Sequence, residues 1–230
     1  MKSYASKLII IFLLILSPVI FLGIMKNTVK AVENKNKEFI IIDPGHGGID
    51  GGCMSDTGVY EKEINLKVSF LLKTYLENSG YNVILTRDDD YDLASKNSKN
   101  RKSEDINKRL KIINNDNTLL FVSIHCNIYS DSSIRGAQTF YNSSFESNKN
   151  LAIIIQEKFN VILKNTNRKS KSINNKYLID NSKKTGCLIE IGFLSNKEEF
   201  NLLNTNSYQD DIAYCIYIGI IEYLSINNNF

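Results

Sequence analysis

Strand-like and helix-like hydrophobic patterns alternate along this 230-residue chain, and this alternation limits the folds open to it. Residues 118–124 (TLLFVSI) are predominantly apolar, which is typical of a central strand buried on both faces. Residues 61–78 instead repeat apolar side chains at helical spacing, at positions 64, 68, 71, 72 and 75. Such alternation favours a sheet of mainly parallel strands covered by helices.

We therefore predict a single α/β domain with a mainly parallel mixed sheet of about six strands flanked by helices. The predicted strands cover residues 39–43, 81–86, 118–124, 137–141, 177–179 and 187–191. The predicted helices cover residues 61–78, about 104–114, 148–163 and 208–224. The polar segment over residues 88–102 lies between the second predicted strand and the second predicted helix, and it is long enough to be a functional loop.

The first 31 residues have a different composition from the rest. Lys2 and Lys7 precede an apolar run over residues 8–25, which is near the minimum length for a membrane span. Residues 29–31 (VKA) place small side chains where a signal peptidase could cut. We predict a signal peptide or signal anchor over residues 1–31, a polar linker over 32–38 and a folded domain over 39–226. The domain is expected to be exported, and either secreted or anchored to the membrane.

The basic character of the chain belongs to this leader. Residues 1–31 hold four of the 28 basic residues and none of the 25 acidic ones, so the formal net charge falls from +3 to −1 without them. This balance gives no support for a nucleic-acid partner. The four cysteines are widely spaced and form no C-x-x-C pair, so we predict no obligatory disulfide framework.

The chain contains two histidines, and each one lies at the end of a predicted strand. His46 is in IIIDPGHGG and His125 is in FVSIHCN. A catalytic zinc needs about three protein ligands and an open position, and imidazole is its commonest ligand. A third ligand is expected to be a carboxylate at an element end. Glu61, which opens a helix, fits best, and Glu63 is the alternative.

Glu190 is an acidic residue within the otherwise apolar strand CLIEIGF. A buried carboxylate is usually paired, bound to metal or catalytic, because burying it alone is costly. Glu190 is therefore a candidate general base, and a structural ion pair is the alternative. The glycine-rich segment GHGGIDGG does not match the spacing of a phosphate-binding loop. We expect Gly47 and Gly48 to let the backbone fold closely around a metal.

Five segments resemble the zinc-dependent N-acetylmuramoyl-L-alanine amidases in order and spacing. They are IIIDPGHGG, YEKEINL (60–66), TRDDD (86–90), FVSIHCN and LIEIGFLSN (188–196), and the resemblance covers roughly residues 38–226. It implies one zinc ion per chain, held by His46, Glu61 and His125, with Glu190 as the catalytic carboxylate. It thereby favours Glu61 over Glu63. It also implies hydrolysis of the amide between N-acetylmuramic acid and L-alanine in peptidoglycan.

Further segments at 92–114, 136–141 (GAQTFY) and 193–200 (FLSNKEEF) are similar to the germination-specific members of that family. This likeness implies a role in the spore cortex, as the first step of muramic-δ-lactam formation. The alternatives are a vegetative autolysin, a non-catalytic peptidoglycan-binding relative and a zinc peptidase that cuts within the stem peptide.

The expected partners of the chain are peptidoglycan and, if the leader is not cleaved, the membrane. Some relatives insert a plugging helix between the second histidine and the catalytic glutamate, and this sequence has no room for one. Control is therefore expected from expression, localisation or an accessory protein that activates the enzyme or completes zinc binding. Arg87 and Arg109 are expected to contact carboxylates of the stem peptide or glycan.

Overall fold

The computed structural model describes residues 38–227. The predicted leader over residues 1–31 and nearly all of the predicted linker lie outside this part of the chain. Within residues 38–227, no helix combines the length and the apolar character that crossing a membrane requires.

Six strands form one mixed sheet at the centre of the domain. They are β1 (Phe39–Pro44), β2 (Asn82–Leu85), β3 (Thr118–Asn127), β4 (Gln138–Tyr141), β5 (Lys171–Ser172) and β6 (Gly186–Phe193). Their order across the sheet is β2-β1-β3-β6-β4-β5. The pairs β2–β1, β1–β3, β3–β6 and β4–β5 are parallel, and only β4 and β6 pair in the antiparallel sense. The predicted mainly parallel mixed sheet is confirmed.

Six α-helices surround the sheet in the described part of the chain. They are α1 (Glu61–Asn78), α2 (Arg101–Ile113), α3 (Glu146–Lys158), α4 (Tyr177–Asn181), α5 (Lys197–Leu203) and α6 (Asn206–Asn227). A π-helical turn, Phe159–Leu163, continues α3. The helix predicted over residues 61–78 is therefore confirmed at both ends.

The two faces of the sheet are covered by separate groups of apolar side chains. The larger core includes Ile40 and Ile42 of β1 together with the buried face of α1. The smaller core includes Ile41 and the buried residues Leu178 and Ile179 of α4. Successive side chains of a strand point to opposite faces, so the apolar run over residues 39–42 of β1 contributes to both cores.

The prediction of a strand over residues 177–179 was wrong. These residues begin helix α4, in which the backbone N–H of Asp180 donates to the carbonyl of Lys176 at 2.8 Å. The Asp180 carboxylate in turn accepts the backbone N–H of Lys176 at 2.9 Å. Leu178 and Ile179 are adjacent in sequence and both buried, which suits one side of a helical turn rather than a strand with alternating faces. The remaining strand is β5, whose two residues are exposed.

Candidate metal centre

The candidate site residues come together at one edge of the sheet, at the carboxyl ends of β1, β3 and β6. His46 follows β1 by two residues, His125 lies near the end of β3, and Glu190 lies beside His125 in the neighbouring strand β6. Glu61 is the first residue of α1. The carboxyl ends of parallel strands in an open α/β sheet are the usual position of a binding site, and this fold follows that rule.

His46, Glu61 and His125 form a compact set of potential metal ligands. Glu61 Oε1 lies 3.2 Å from Nε2 of His46 and 3.0 Å from Nδ1 of His125. The two imidazole rings meet edge to face, with centroids 4.9 Å apart. One donor atom from each residue lies within 4.8 Å of the other two. Two imidazoles and one carboxylate are a donor set that suits a catalytic zinc ion with an open fourth position.

Glu61 is buried and held from several sides. Its Oε2 atom accepts the backbone N–H of Cys53 at 2.7 Å, and its Oε1 atom accepts the amide of Asn65 at 3.2 Å. Burial alone raises the pKa of this carboxyl, but hydrogen bonds from His125 and His46 outweigh that effect and hold the pKa well below its usual range. Glu61 is therefore ionised at neutral pH, which is the form that binds a metal.

Asp50 orients the His46 ring and was not among the site residues predicted from the sequence. Its Oδ1 atom lies 3.0 Å from Nδ1 of His46, which leaves Nε2 directed toward Glu61. Burial lowers the pKa of His46, but the hydrogen bonds to Glu61 and Asp50 prevail and raise it. A carboxylate on the far nitrogen of a ligand histidine is the usual arrangement around a protein-bound metal. In the sequence, the only indication of this role is that an acidic residue stands four positions after His46.

Two glycines lie directly behind the ligand side chains. A Cβ atom on Gly45 would lie 2.3 Å from Cε1 of His125. A Cβ on Gly52, whose φ is +69°, would lie 2.5 Å from Cγ of Glu61. Each glycine therefore allows the backbone to approach a ligand more closely than any side chain would permit.

Gly47 and Gly48, which were predicted to let the backbone fold around a metal, lie against a different part of the chain. A Cβ on Gly47 would meet the carbonyl oxygen of Tyr91 at 2.4 Å, and one on Gly48 would meet the backbone nitrogen of Asp92 at 2.8 Å. These two glycines fit the turn against the loop that follows β2. The backbone of Gly47 also pairs with that of Asp50, whose N–H donates to the Gly47 carbonyl at 3.2 Å, and the expected role of these glycines around a metal stays a prediction.

Glu190 faces the same cleft as the ligand set. The residue is half-buried, and among the described residues its Oε2 atom is covered but has no hydrogen-bond partner. Burial raises the pKa of Glu190, and nearby His125 opposes this rise only in part. The side chain makes no ion pair in residues 38–227, so the structure does not support the alternative of a structural salt bridge.

The cleft has a volume of about 660 Å³ and continues from the ligand set between two helices. Its lining includes Lys102 and Ile106 of α2, and Lys176 and Tyr177 at the start of α4. The Tyr177 hydroxyl donates to the side chain of Asn107 at 2.8 Å, which links α4 to α2. The cleft is thus a walled, open groove with the ligand set and Glu190 in its lining.

Arg87 and Arg109 are not available to a substrate. Their exposed fractions are 1% and 2%, and every guanidinium nitrogen of Arg109 donates to a protein oxygen. Arg87 donates to four backbone carbonyl groups. The expectation that these arginines contact substrate carboxylates is therefore inconsistent with the structure. Sequence alone could not show this, because arginine is usually exposed and its burial here depends on tertiary packing.

Comparisons with known proteins agree with this geometry. The Amidase_3 family model, described as N-acetylmuramoyl-L-alanine amidase, matches residues 40–222. The chain is 42% identical over 191 residues to the germination-specific N-acetylmuramoyl-L-alanine amidase of Bacillus subtilis, covering 82% of this chain and 80% of that protein.

Two solved structures share the fold. The CwlD amidase of Clostridioides difficile, in complex with the GerS lipoprotein, superposes with a TM-score of 0.79 at 41% identity, covering 83% of this chain and 100% of that one. An N-acetylmuramoyl-L-alanine amidase of Clostridium difficile 630 gives a TM-score of 0.74 at 29% identity, covering 83% of this chain and 98% of that one. The chain belongs to the Amidase_3 family of N-acetylmuramoyl-L-alanine amidases.

Proposed function

We propose that this chain is a zinc-dependent amidase that cleaves the bond between the lactyl group of N-acetylmuramic acid and the L-alanine of a peptidoglycan stem peptide. The observation that carries the proposal is the convergence of His46, Glu61 and His125 with the unpartnered carboxylate of Glu190 in one cleft. Family membership supports the reaction, and the donor set supports the metal.

His46, Glu61 and His125 would hold one zinc ion per chain. Bound there, zinc supplies Lewis-acid chemistry toward the scissile carbonyl group. The protein's part is to fix the ligands beforehand, and Asp50, Gly45 and Gly52 do so through the contacts described above.

Glu190 would move the proton. Ionised, it accepts a proton from the attacking water; protonated, it returns that proton to the departing alanine amine. Burial raises its pKa, which makes the second step easier because a weaker acid keeps the proton until the leaving group needs it. Within residues 38–227, its Oε2 atom has no hydrogen-bond partner, so its capacity to accept a proton is not taken up by another protein group.

The biological setting that we propose is the spore cortex, where the reaction would be the first step of muramic-δ-lactam formation. The 42% identity to a germination-specific amidase supports this setting. The CwlD structure is a complex with the GerS lipoprotein, which supports an accessory protein as a partner of this chain too. We further propose that residues 1–31 direct export, that residues 32–38 are a linker and that residues 39–226 form the catalytic domain, acting outside the cytoplasm.

Replacing Glu190 with glutamine tests the mechanism. The amide side chain cannot accept a proton, so turnover of purified peptidoglycan is expected to fall by about 10²–10⁴-fold. Zinc content, measured by atomic emission on the same samples, is expected to stay unchanged. Mass spectrometry identifies the bond that is cut, because the amidase reaction alone releases stem peptides with a free L-alanine amino terminus.

The matched control is Glu157→Gln, the same substitution at an exposed position on α3. Its turnover is expected to equal that of the wild type. Full turnover in the Glu190→Gln protein would contradict the proposed role of Glu190. Fragments cut within the stem peptide would identify a peptidase instead.

The spore role has a separate test in the producing organism. A strain without this protein is expected to divide normally but to form spores whose cortex lacks muramic lactam. A defect in separation of dividing cells, with normal cortex lactam, would instead support the vegetative autolysin.

A further inference from the structure

Two buried arginines hold the turn that carries His46. Arg109 donates from Nη1 to the carbonyl oxygen of Pro44 at 2.8 Å and from Nη2 to that of His46 at 2.6 Å. Arg87 donates from Nε to Pro44 at 3.0 Å and from Nη2 to the carbonyl of Gly45 at 2.9 Å. Three successive carbonyl groups, from Pro44 to His46, are therefore bound by two guanidinium groups.

The backbone that these arginines bind is strained at its functional residue. His46 has a φ of +62°, in the left-handed region that side chains with a Cβ rarely adopt. Such a conformation persists only where the surrounding contacts impose it. The carbonyl group of His46 is the acceptor of the Arg109 bond, so this contact acts on the strained residue itself.

Burying two guanidinium groups is an unfavourable way to stabilise a turn if stability is their only purpose. Arg109 is balanced by Asp43 at 2.8 Å and Asp105 at 2.9 Å. Arg87 forms no ion pair with another residue of the described chain, and its further bonds go to the carbonyl groups of Lys62 and Asp89. Apolar residues of similar volume often stabilise a fold as well as buried charges do, so fixing one particular backbone conformation is the better explanation.

We propose that Arg87 and Arg109 are positioning residues for the metal: they hold the Pro44–His46 turn so that His46 presents Nε2 toward Glu61 before the metal binds. A guanidinium group suits this task because its planar, forked donors reach two carbonyl groups at a fixed angle. The inference rests on the proposed zinc site. It adds that zinc affinity depends on two residues that do not touch the ion.

The test uses Arg87→Lys and Arg109→Lys in the full chain. Lysine keeps the charge but cannot bind two carbonyl groups in the same fork. We expect the zinc dissociation constant of each variant, measured by competition with a chelating indicator, to rise by about 10–100-fold. The increase in thermal midpoint that a fixed zinc concentration produces is expected to shrink accordingly, because that increase depends on zinc concentration relative to the dissociation constant.

A merely structural role gives a different result. It would lower the midpoint of the zinc-free protein but leave the zinc dissociation constant unchanged, and that outcome would overturn the inference. Arg101→Lys is the matched control. Arg101, the first residue of α2, also pairs with an aspartate, Asp92, but it donates to no carbonyl group of the His46 turn. Its zinc affinity is expected to equal that of the wild type.

Two further outcomes are informative. If Arg109→Lys does not fold, Asp105→Asn replaces it, because this change removes the negative charge that faces Nε of Arg109 and leaves the guanidinium group in place. A zinc affinity equal to that of the wild type in both Asp105→Asn and Arg87→Lys would refute the inference. A wild-type chain that binds no zinc would refute the proposed function itself. If the wild type and both variants bind zinc with equal affinity, only the positioning role is refuted.

Discussion

At the scale of single residues, a backbone position without a side chain decides where a ligand can lie. Gly45 is fixed beside β3 because its N–H donates to the carbonyl oxygen of Ile124 at 2.9 Å. The His125 imidazole then occupies the space in which a Cβ of residue 45 would stand. The ring cannot simply move away, since Glu61 holds it from the other side at 3.0 Å.

Gly45→Ala is therefore expected to damage metal binding more than it damages the fold. The added methyl group forces the His125 ring out of place, so zinc affinity is expected to fall at least about tenfold. Overpacking of this kind costs about 1–3 kcal/mol in the free energy of unfolding. Competition with a chelating indicator measures the affinity, and urea unfolding of the zinc-free protein measures the stability.

Gly80→Ala is the control for this change. Gly80 has a φ of +84° and open space around its Cα, so alanine there costs roughly 1–2 kcal/mol of backbone strain without touching the metal site. Its zinc affinity is expected to match the wild type. Unchanged affinity in Gly45→Ala would show that the ring can shift and still bind.

Some residues of the candidate metal centre could be predicted from the sequence, and others could not. His46, His125 and Glu190 were identified because each is an unusual residue type at the end of, or inside, an apolar strand. Asp50 was missed because a surface-type acid in a glycine-rich loop has many ordinary explanations. The burial of Arg87 was not foreseen because it depends on carbonyl groups supplied by distant segments of the chain.

At the scale of elements, helix α1 connects the core to the candidate metal centre. Its first residue is Glu61, and the acid there is favoured by the helix dipole. Its buried face, which includes Val68 and Leu72, packs into the larger core. The periodicity of that face made α1 predictable to the residue, whereas α4 is five residues long and shows no period to read.

Leu72→Ala is expected to separate the stability of α1 from the chemistry at its first turn. Leu72 is fully buried, so the substitution is expected to cost about 2–5 kcal/mol in the free energy of unfolding. Glu61 lies three turns away, and its contacts are with Cys53, Asn65 and the two ligand histidines rather than with Leu72. Zinc stoichiometry at a temperature where the variant is still folded is therefore expected to stay the same.

The control for Leu72→Ala is Leu202→Ala on α5, where the leucine is 41% exposed and the loss is expected to be within about 0.5 kcal/mol. Urea unfolding monitored by circular dichroism compares the two variants. A loss of bound zinc from folded Leu72→Ala protein would show that the buried face of α1 controls the ligand as well as the fold.

At the scale of the whole molecule, one buried carboxylate joins four segments of the domain. Asp43 at the end of β1 accepts hydrogen bonds from Thr86 after β2, from Ser123 in β3 and from Arg109 in α2. Burial raises the pKa of Asp43, but the guanidinium group of Arg109 and the two hydroxyl groups outweigh this, so that the net pKa is lowered. Protonation of Asp43 is thus opposed by the complete fold, and only unfolding removes that opposition.

This network predicts how acid unfolds the protein. The pKa of an unfolded aspartate is about 3.9, and that of Asp43 in the folded state is lower, so its contribution to stability is complete above about pH 4. Below that pH the unfolded chain takes up the proton first, and the contribution is lost as the pH falls through the folded-state pKa. The stability of the zinc-free protein, measured by urea unfolding, is therefore expected to fall in this acidic window.

Asp43→Asn tests the assignment. The variant has no carboxylate to titrate at this position, so its unfolding free energy is expected to change less steeply with pH than that of the wild type below about pH 4. At neutral pH it is expected to be about 3–5 kcal/mol less stable, because the buried Arg109 loses the negative charge of its buried partner. Asp116→Asn, at an exposed position, is expected to keep the wild-type slope. Parallel curves for Asp43→Asn and the wild type would show that other carboxylates control acid unfolding. A flattened curve would assign part of the acid unfolding to Asp43 and its buried ion pair with Arg109.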